Sequence, residues 1–590
     1  MHEHNSQLAF YRTPPGAVKV GQTVQLRFFA PADAKAVFLC MENERYEMKK
    51  EWEMCGGQIF SAGLTIKETC YYTFYIEETS GGRFYGNASG LGGKGEIHCE
   101  VPYQITAYVP RPLPRAYAEG LVYQIFPDRF CPGGAREEIG IPRAWGEIPF
   151  YKAEQFGGAY TANDFFGGTL WGVAEKLPYL KKMGFTWIYL NPIFDTSSNH
   201  GYNTRDYRHI AAQLGGDAAF LHLVKRVKEE GMHLMLDGVF SHTGDDSLYF
   251  REAMENPASP YRAWYTFTDS PPFYAAWWGI PSLPNVQEEE PSYMEFMLGE
   301  DGVVRQWLRA GADGWRLDVA DELPDGFLDG LREAAKTEKE DCVIIGEVWE
   351  DASNKISYGN RRRYLTGNQL DSVTNYPMRG AILDFVRGEN DGTTFQKRVC
   401  SLVENYPPSA LMGALSFLSG HDIPRVLTIL GDAPWGRPRD EEAVYRLPPE
   451  RWETAFSRLR LALVLLVTLP GVPCVFYGDE AGMEGYGDPF CRGTYPWGRE
   501  NERVMTLYKE ILSLRKTNRD FVYGALRFLT ASERTIAFLR GDTAVFINAG
   551  IAEWHLSFAG EALAVPPWDY QIRKGAEKKN GESDGYIKGS

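Results

Sequence analysis

What this 590-residue chain lacks narrows its function before any motif is read. No apolar run approaches the roughly 20 residues of a bilayer span; the longest, from Leu461 to Leu469, reads as a buried helix. Positive charge is in deficit. The 62 Lys and Arg against 78 Asp and Glu leave a net charge of −16, which repels phosphate backbones and anionic lipid headgroups and sets aside nucleic acid and membrane as partners. Nine cysteines, at positions 40, 55, 70, 99, 131, 342, 400, 474 and 491, show no CxxC spacing. They predict reduced thiols, with neither a disulfide framework nor a zinc site. The opening residues, MHEHNSQLAFYRTPPG, have neither the basic start nor the apolar stretch of a signal peptide, so a cytoplasmic location is expected. A GxxxxGK[ST] phosphate loop, an HExxH pair, a dinucleotide glycine fingerprint and a Ser-His-Asp order are missing as well, which excludes the chemistries that depend on them.

Aromatic residues, at 14%, are plentiful and suit flat ligands such as sugar rings. The chain is too long for one core. Residues 1–116 carry short β-branched and alternating runs between Gly, Pro and Asn turns, and predict an N-terminal β-sandwich. YVPRPLPRAY reads as a stiff linker. From 117 to 515 apolar strands alternate with helical periodicity, and LVYQIF, TWIYLN, HLMLDGVF, DGWRLDV, DCVIIGEV, QLDSVTN, GALSFLS and VPCVFY supply the eight strands of a (β/α)8 TIM barrel. In the helix after the second strand, Phe220, Leu223, Val224 and Val227 fall at helical spacing and Gly231 supplies a stop. The connection after the third strand predicts a small inserted subdomain at about 243–295. A C-terminal antiparallel β domain is expected over 516–574 and a disordered tail over 575–590.

In such a barrel the C-terminal strand ends face the active site. The third strand ends with Asp237 and His242, the fourth with Arg316, Asp318, Asp321 and Glu322, the fifth with Glu347; His421, Asp422 and Arg425 follow the seventh. Crowding charge at one mouth costs stability, so the cluster marks a site rather than a solvated face. Neighbouring strand ends lie about 4.8 Å apart, close to the roughly 5 to 5.5 Å between the two carboxyls of a retaining glycosidase. Arg316 is placed to hold Asp318 ionised. These residues suit glycosyl transfer, with Asp318 as nucleophile and Glu347 as acid/base. Single histidines elsewhere, His2, His4, His98 and His555, read as structural.

These four ordered segments resemble the signature stretches of the alpha-amylase superfamily, glycoside hydrolase family 13, and the resemblance runs from Tyr123 through the terminal β domain. It implies that Asp318 is the nucleophile, Glu347 the acid/base and Asp422 a third carboxylate that binds sugar hydroxyls. It further implies Tyr123 as a stacking platform, His200, His242 and His421 as hydroxyl ligands, Arg316 beside the nucleophile, and Asp488 and Arg492 on the loop after strand eight. Asp237 and Arg425 join the substrate-binding set. The sandwich and the DVADE segment, with Glu322, are similar to the neopullulanase, cyclomaltodextrinase and maltogenic amylase branch. In that branch the sandwich often makes a dimer, so a homodimer through the N-terminal domain is expected.

The pattern departs from the family in places. Ala320 and Asp321 precede Glu322 where VANE is usual, Asn203 and Ser241 replace an Asp and an Asn, and IPSLPN puts Pro284 where Asn is usual, leaving Asn285 beside it. DRFCPGGAREE lacks the oxygen-rich loop that a hard cation requires, so no cofactor and no obligatory calcium are expected. Trp277 and Trp278 read equally as packing for the inserted subdomain or as a sugar-stacking wall. The expected activity is retaining hydrolysis of α-1,4 bonds in cyclodextrins, maltodextrins or pullulan. The rivals are a family-13 transglycosylase, isomerase or oligo-α-1,6-glucosidase, and a non-catalytic maltodextrin-binding protein.

Overall fold

The computed structural model describes residues 2–42, 44–54, 56–575 and 587–588. In its N-terminal part, one sheet pairs Arg12–Thr13, Thr23–Pro31, Gly57–Thr65 and Lys49–Met54, and a second is built on Gly81–Gly86, Cys70–Glu78 and Ala34–Met41. Side chains alternate across a strand, so Val24, Leu26, Phe28 and Ala30 of the first sheet bury against Val37, Leu39, Phe74 and Ile76 of the second. The proline-rich segment after the sandwich lies against the barrel: Val109 N–H donates to the Thr366 carbonyl at 2.8 Å and Arg111 Nε to the Gly367 carbonyl at 3.0 Å.

The barrel strands are β1 (Val122–Ile125), β2 (Trp187–Leu190), β3 (His233–Gly238), β4 (Gly314–Leu317), β5 (Val343–Gly346), β6 (Ser372–Val373), β7 (Leu415–Phe417) and β8 (Val472–Phe476). They hydrogen-bond in the order β6-β5-β4-β3-β2-β1-β8-β7, and a parallel bridge from Thr374 to Leu415 spans the gap between β6 and β7. Both strand faces are buried, as in other sheets wrapped by helices. Tyr189, Met235, Ile345 and Phe417 fill the barrel, while Ile188, Leu190, Leu236 and Leu317 meet the helices.

The helix Gly216–Glu229 buries Phe220, Leu223, Val224 and Val227, and Gly231, at φ 66°, turns the chain out of it. In the helix Pro449–Thr468 the apolar run from Leu461 is buried. Among the described residues no helix is long and apolar enough to cross a membrane. Between β3 and β4 the chain forms a helix, Leu248–Glu255, and bridges Tyr265–Val286, Phe267–Tyr274 and Ala276–Pro284. A further bridge from His242 to Asn285 fastens this segment to the barrel mouth.

At the C-terminal end Leu526–Ala531, Thr535–Arg540, Thr543–Asn548 and Asp569–Lys574 form an antiparallel sheet. The disordered tail expected from 575 lies outside the described residues, apart from Gly575 and a two-residue strand, Ile587–Lys588, paired with Trp554–Phe558.

Candidate active site

Strand register builds the centre of the mouth. Asp237 of β3 lies opposite Arg316 of β4, and Leu317 of β4 opposite Gly346 of β5. Asp318 and Glu347 are therefore the first residues past two neighbouring strand ends, at one level. The pleat turns Trp315 and Leu317 to the helices, which sends Arg316 and Asp318 inward. Arg316 Nη1 meets Asp237 at 2.7 Å and Asp318 at 2.9 Å, and its Nη2 meets Glu347 Oε2 at 2.8 Å. A planar guanidinium holds its donors in a fixed fork, so the carboxyls of Asp318 and Glu347 stand on the same wall.

Val319, directly after Asp318, sits at φ 37° and ψ 68°. A β-branched residue in the left-handed region carries strain of about 1–3 kcal/mol. The turn it makes is held from outside, because its N–H donates to Glu347 Oε2 at 3.0 Å. The other Glu347 oxygen, Oε1, accepts only longer bonds, from Trp349 Nε1 at 3.2 Å and the Tyr376 hydroxyl at 3.4 Å. Oε1 is thus the freer of the two for proton transfer.

Burial pushes Asp318 well above the ordinary carboxylate range; Arg316 opposes the rise, and Glu347, Asp237 and Asp422 add to it. Burial raises Asp237 as well, against the pull of Arg316. The expectation that Arg316 simply keeps Asp318 ionised is therefore incomplete: Asp237 and Glu347 draw on the same guanidinium, and burial with the neighbouring carboxyls outweighs its pull on Asp318. Asp422 behaves differently. Enclosure raises it, but contacts from His421 Nε2 and Arg492 Nη2, both at 3.0 Å, outweigh that and hold it well below the usual range. Burial lowers His200 to about 3, with help from Arg492, and lowers His242 to about 4. Both rings are neutral at pH 7, so each can donate one hydrogen bond and accept another.

A cavity of about 720 Å³ opens over this cluster. Asp318, Glu347 and Asp422 line it together with His200, His242, His421, Glu322, Asp488 and Arg492. Asp237 and Arg316 lie beneath its floor instead. Asp237 Oδ2 accepts from the Tyr189 and Tyr202 hydroxyls at 2.6 and 3.1 Å, so it positions other groups rather than meeting a ligand.

That corrects the expectation that Asp237 binds the sugar, and two further expected ligands, Tyr123 and Arg425, are corrected with it. Tyr123 is fully buried on the helix side of β1, its hydroxyl donating to Glu480 at 2.6 Å. Pleat parity is the reason: its neighbour Gln124 points inward and donates to His421 Nδ1 at 3.0 Å. Arg425 is also fully buried, bound to Asp479 at 3.0 Å and to the Tyr477 and Cys491 carbonyls at 2.7 and 2.9 Å. It fastens the loop that carries Asp488 and Arg492.

The ring that the cavity does receive is Tyr202, two residues beyond His200. It stacks on His421 with centroids 5.3 Å apart and planes 9° from parallel. Its hydroxyl lies 2.5 Å from His421 Nε2. The NHGY segment held that signal. Trp349 and Tyr358 also line the cavity and were missed, because no local pattern separates a wall aromatic from a core one. Trp277 and Trp278 line it too, stacked on each other with centroids 4.6 Å apart. Trp278 Nε1 donates to Glu322 Oε1 at 3.1 Å, and the Tyr358 hydroxyl donates to the same oxygen at 2.6 Å. Asn203, in place of the usual Asp, accepts from Thr196 Oγ1 at 2.7 Å.

The alpha-amylase catalytic domain matches residues 124–520. A cyclomaltodextrinase of Thermoanaerobacter pseudethanolicus is 30% identical over 503 residues, which cover 82% of this chain and 79% of that protein. An amylopullulanase of Thermoanaerobacterium saccharolyticum is 32% identical over 607 residues, 91% of this chain and 46% of the relative. The chain spans less than half the length of the amylopullulanases it matches. Among solved structures, the type III pullulan hydrolase from Thermococcus kodakarensis superimposes with a TM-score of 0.70 at 26% identity, over 97% of this chain and 100% of that one. Barrel and relatives agree, and the chain belongs to the alpha-amylase superfamily, glycoside hydrolase family 13, in the neopullulanase, cyclomaltodextrinase and maltogenic amylase branch.

Proposed function

We propose that this chain is a retaining glycoside hydrolase that cleaves α-1,4-glucosidic bonds in cyclodextrins, maltodextrins or pullulan. The observation that carries the reading is the single Arg316 guanidinium touching both Asp318 and Glu347 from neighbouring strand ends. Asp318 attacks the anomeric carbon while Glu347, through Oε1, gives its proton to the departing oxygen; water, deprotonated by the same Glu347, then releases the sugar. In the first step a proton leaves Glu347 as Asp318 loses its charge to the new bond, so the crowded cluster keeps a constant net charge. Asp422, held ionised, accepts from sugar hydroxyls, with the neutral His200 and His242 beside it. Tyr202 offers its face to the ring.

The aromatic wall of Trp278, Trp349 and Tyr358 favours a second outcome of the same intermediate, transfer to a sugar acceptor in place of water. Product analysis from maltotriose, cyclodextrin, pullulan and starch separates the two. Asp318→Asn is expected to abolish turnover while leaving the melting curve in place; full activity in a clean preparation refutes the assignment. The reading also takes the protein to be cytoplasmic, in keeping with the free thiols of its described cysteines, and to be a homodimer through the sandwich. A monomer in sedimentation equilibrium removes the dimer from it.

A further inference from the structure

The wall on one side of the cavity comes from the loop after β5, which contributes Trp349, Lys355, Ile356 and Tyr358. Glu347 Oε1, the oxygen proposed to protonate the leaving group, accepts from Trp349 at 3.2 Å. This side therefore receives the leaving or acceptor sugar, and Asp422, Asp488 and Arg492 mark the other. The loop is tied inward, by Lys355 to Asp321 at 2.9 Å and by Tyr358 to Glu322 at 2.6 Å. Its own structure is slight: two two-residue strands, Ile356–Ser357 and Asn360–Arg361, with Tyr358 at φ 51° and 70% exposed. So short a hairpin, with a non-glycine left-handed residue, does not hold its shape alone.

Outside support comes from the N-terminal sandwich of the same chain. Gln104, buried at the domain junction, uses both ends of its amide on the loop. Its Nε2 donates to Ser353 Oγ at 3.0 Å and to the Ser353 carbonyl at 3.3 Å, and its Oε1 accepts from Asn354 Nδ2 at 3.0 Å. Tyr71 takes the far end of the loop: the Arg361 guanidinium lies 4.2 Å over its ring and donates to its hydroxyl. The sandwich is a rigid support, since fully buried Arg12 bonds both the Gln104 carbonyl at 2.9 Å and Glu404 of the barrel at 3.0 Å.

We infer that the sandwich positions the acceptor-side wall of its own active site, with Gln104 and Tyr71 as the positioning residues. The inference rests on the roles proposed for Asp318 and Glu347. Neither positioning residue touches substrate; they act through the loop that does.

The test compares maltotriose, which needs the acceptor wall, with α-glucosyl fluoride, whose leaving group needs none. Gln104→Ala and Tyr71→Ala are expected to raise KM for maltotriose about tenfold, the effect of losing roughly one net hydrogen bond of support. Transfer to added glucose falls in parallel, while kcat/KM for the fluoride stays within about twofold of wild type. Tyr71→Phe keeps the ring under Arg361 and restores most of the maltotriose KM. Equal losses on both substrates, or none on either, overturn the inference even where the melting temperature drops, because mere domain attachment predicts no such split. A wild-type protein inert towards both substrates fails at the proposed function and takes the inference with it.

Discussion

Arg316→Lys isolates what the guanidinium fork contributes beyond its charge. Arg316 is buried and reaches three carboxylates from two nitrogens, Asp237 and Asp318 from Nη1 and Glu347 from Nη2. A lysine ammonium is a single point and cannot serve both ends. Losing the Glu347 contact removes one charge-assisted bond, about 1.5–3 kcal/mol. Glu347 is then free to rotate away from the leaving oxygen, so the same free energy appears in the barrier as a fall in kcat of about 10- to 150-fold.

The pH profile moves as well. Asp318 already lies above its ordinary range, with Arg316 opposing the rise; weakening that opposition lifts it further and shifts the acid limb of kcat/KM to higher pH. For a carboxyl raised on folding, stability is present at low pH and lost as pH rises through the folded value. The variant should therefore be more destabilised at pH 8 than at pH 6. Steady-state kinetics on a cyclodextrin between pH 4 and 9, with urea melts at the same values, measure both effects. A variant within twofold of wild-type kcat, with an unmoved acid limb, refutes the account of Arg316 as the shared clamp.

Tyr123→Phe is expected to cost about 1 kcal/mol of stability through the lost bond to Glu480, while KM for maltotriose stays unchanged; Tyr202→Ala, by contrast, should raise that KM. A large KM effect of Tyr123→Phe would restore the stacking role that the structure takes from it. His4, buried in the sandwich between the Arg27 carbonyl and the Tyr72 hydroxyl, is lowered by burial to about 3. The unfolded chain takes up its proton below about 6.5 while the native state refuses it, so wild-type stability falls as pH drops through that window. Relative to His4→Gln, the wild type should lose about 2 kcal/mol between pH 7 and pH 5 in urea melts; parallel curves for the two proteins would show that His4 titrates normally.

Local chemistry was legible in the sequence because it repeats at short range. The barrel strands, the helix carrying Phe220 to Val227, and the carboxylates Asp318, Glu347 and Asp422 each announce themselves within about ten residues, by period or by motif. Tyr123 was misread although its strand held the answer: a polar Gln124 in an apolar run marks the inward parity, and the pleat then turns Tyr123 to the helices. Arg425 had no such signal, since Asp479, which neutralises it, stands 54 positions away.

The clasp of Trp278 and Tyr358 on Glu322, and the reach of Gln104 to a loop about 250 positions on, are of the same kind. The sequence by itself determined the type of barrel, the residues at its mouth and the reaction they suit, because strand alternation and strand-end geometry act between neighbours. Only the tertiary structure decided which groups face the cavity, which lie under its floor and which domain steadies its wall. Those depend on distances between segments far apart in the chain, and packing sets such distances without leaving a mark in local spacing.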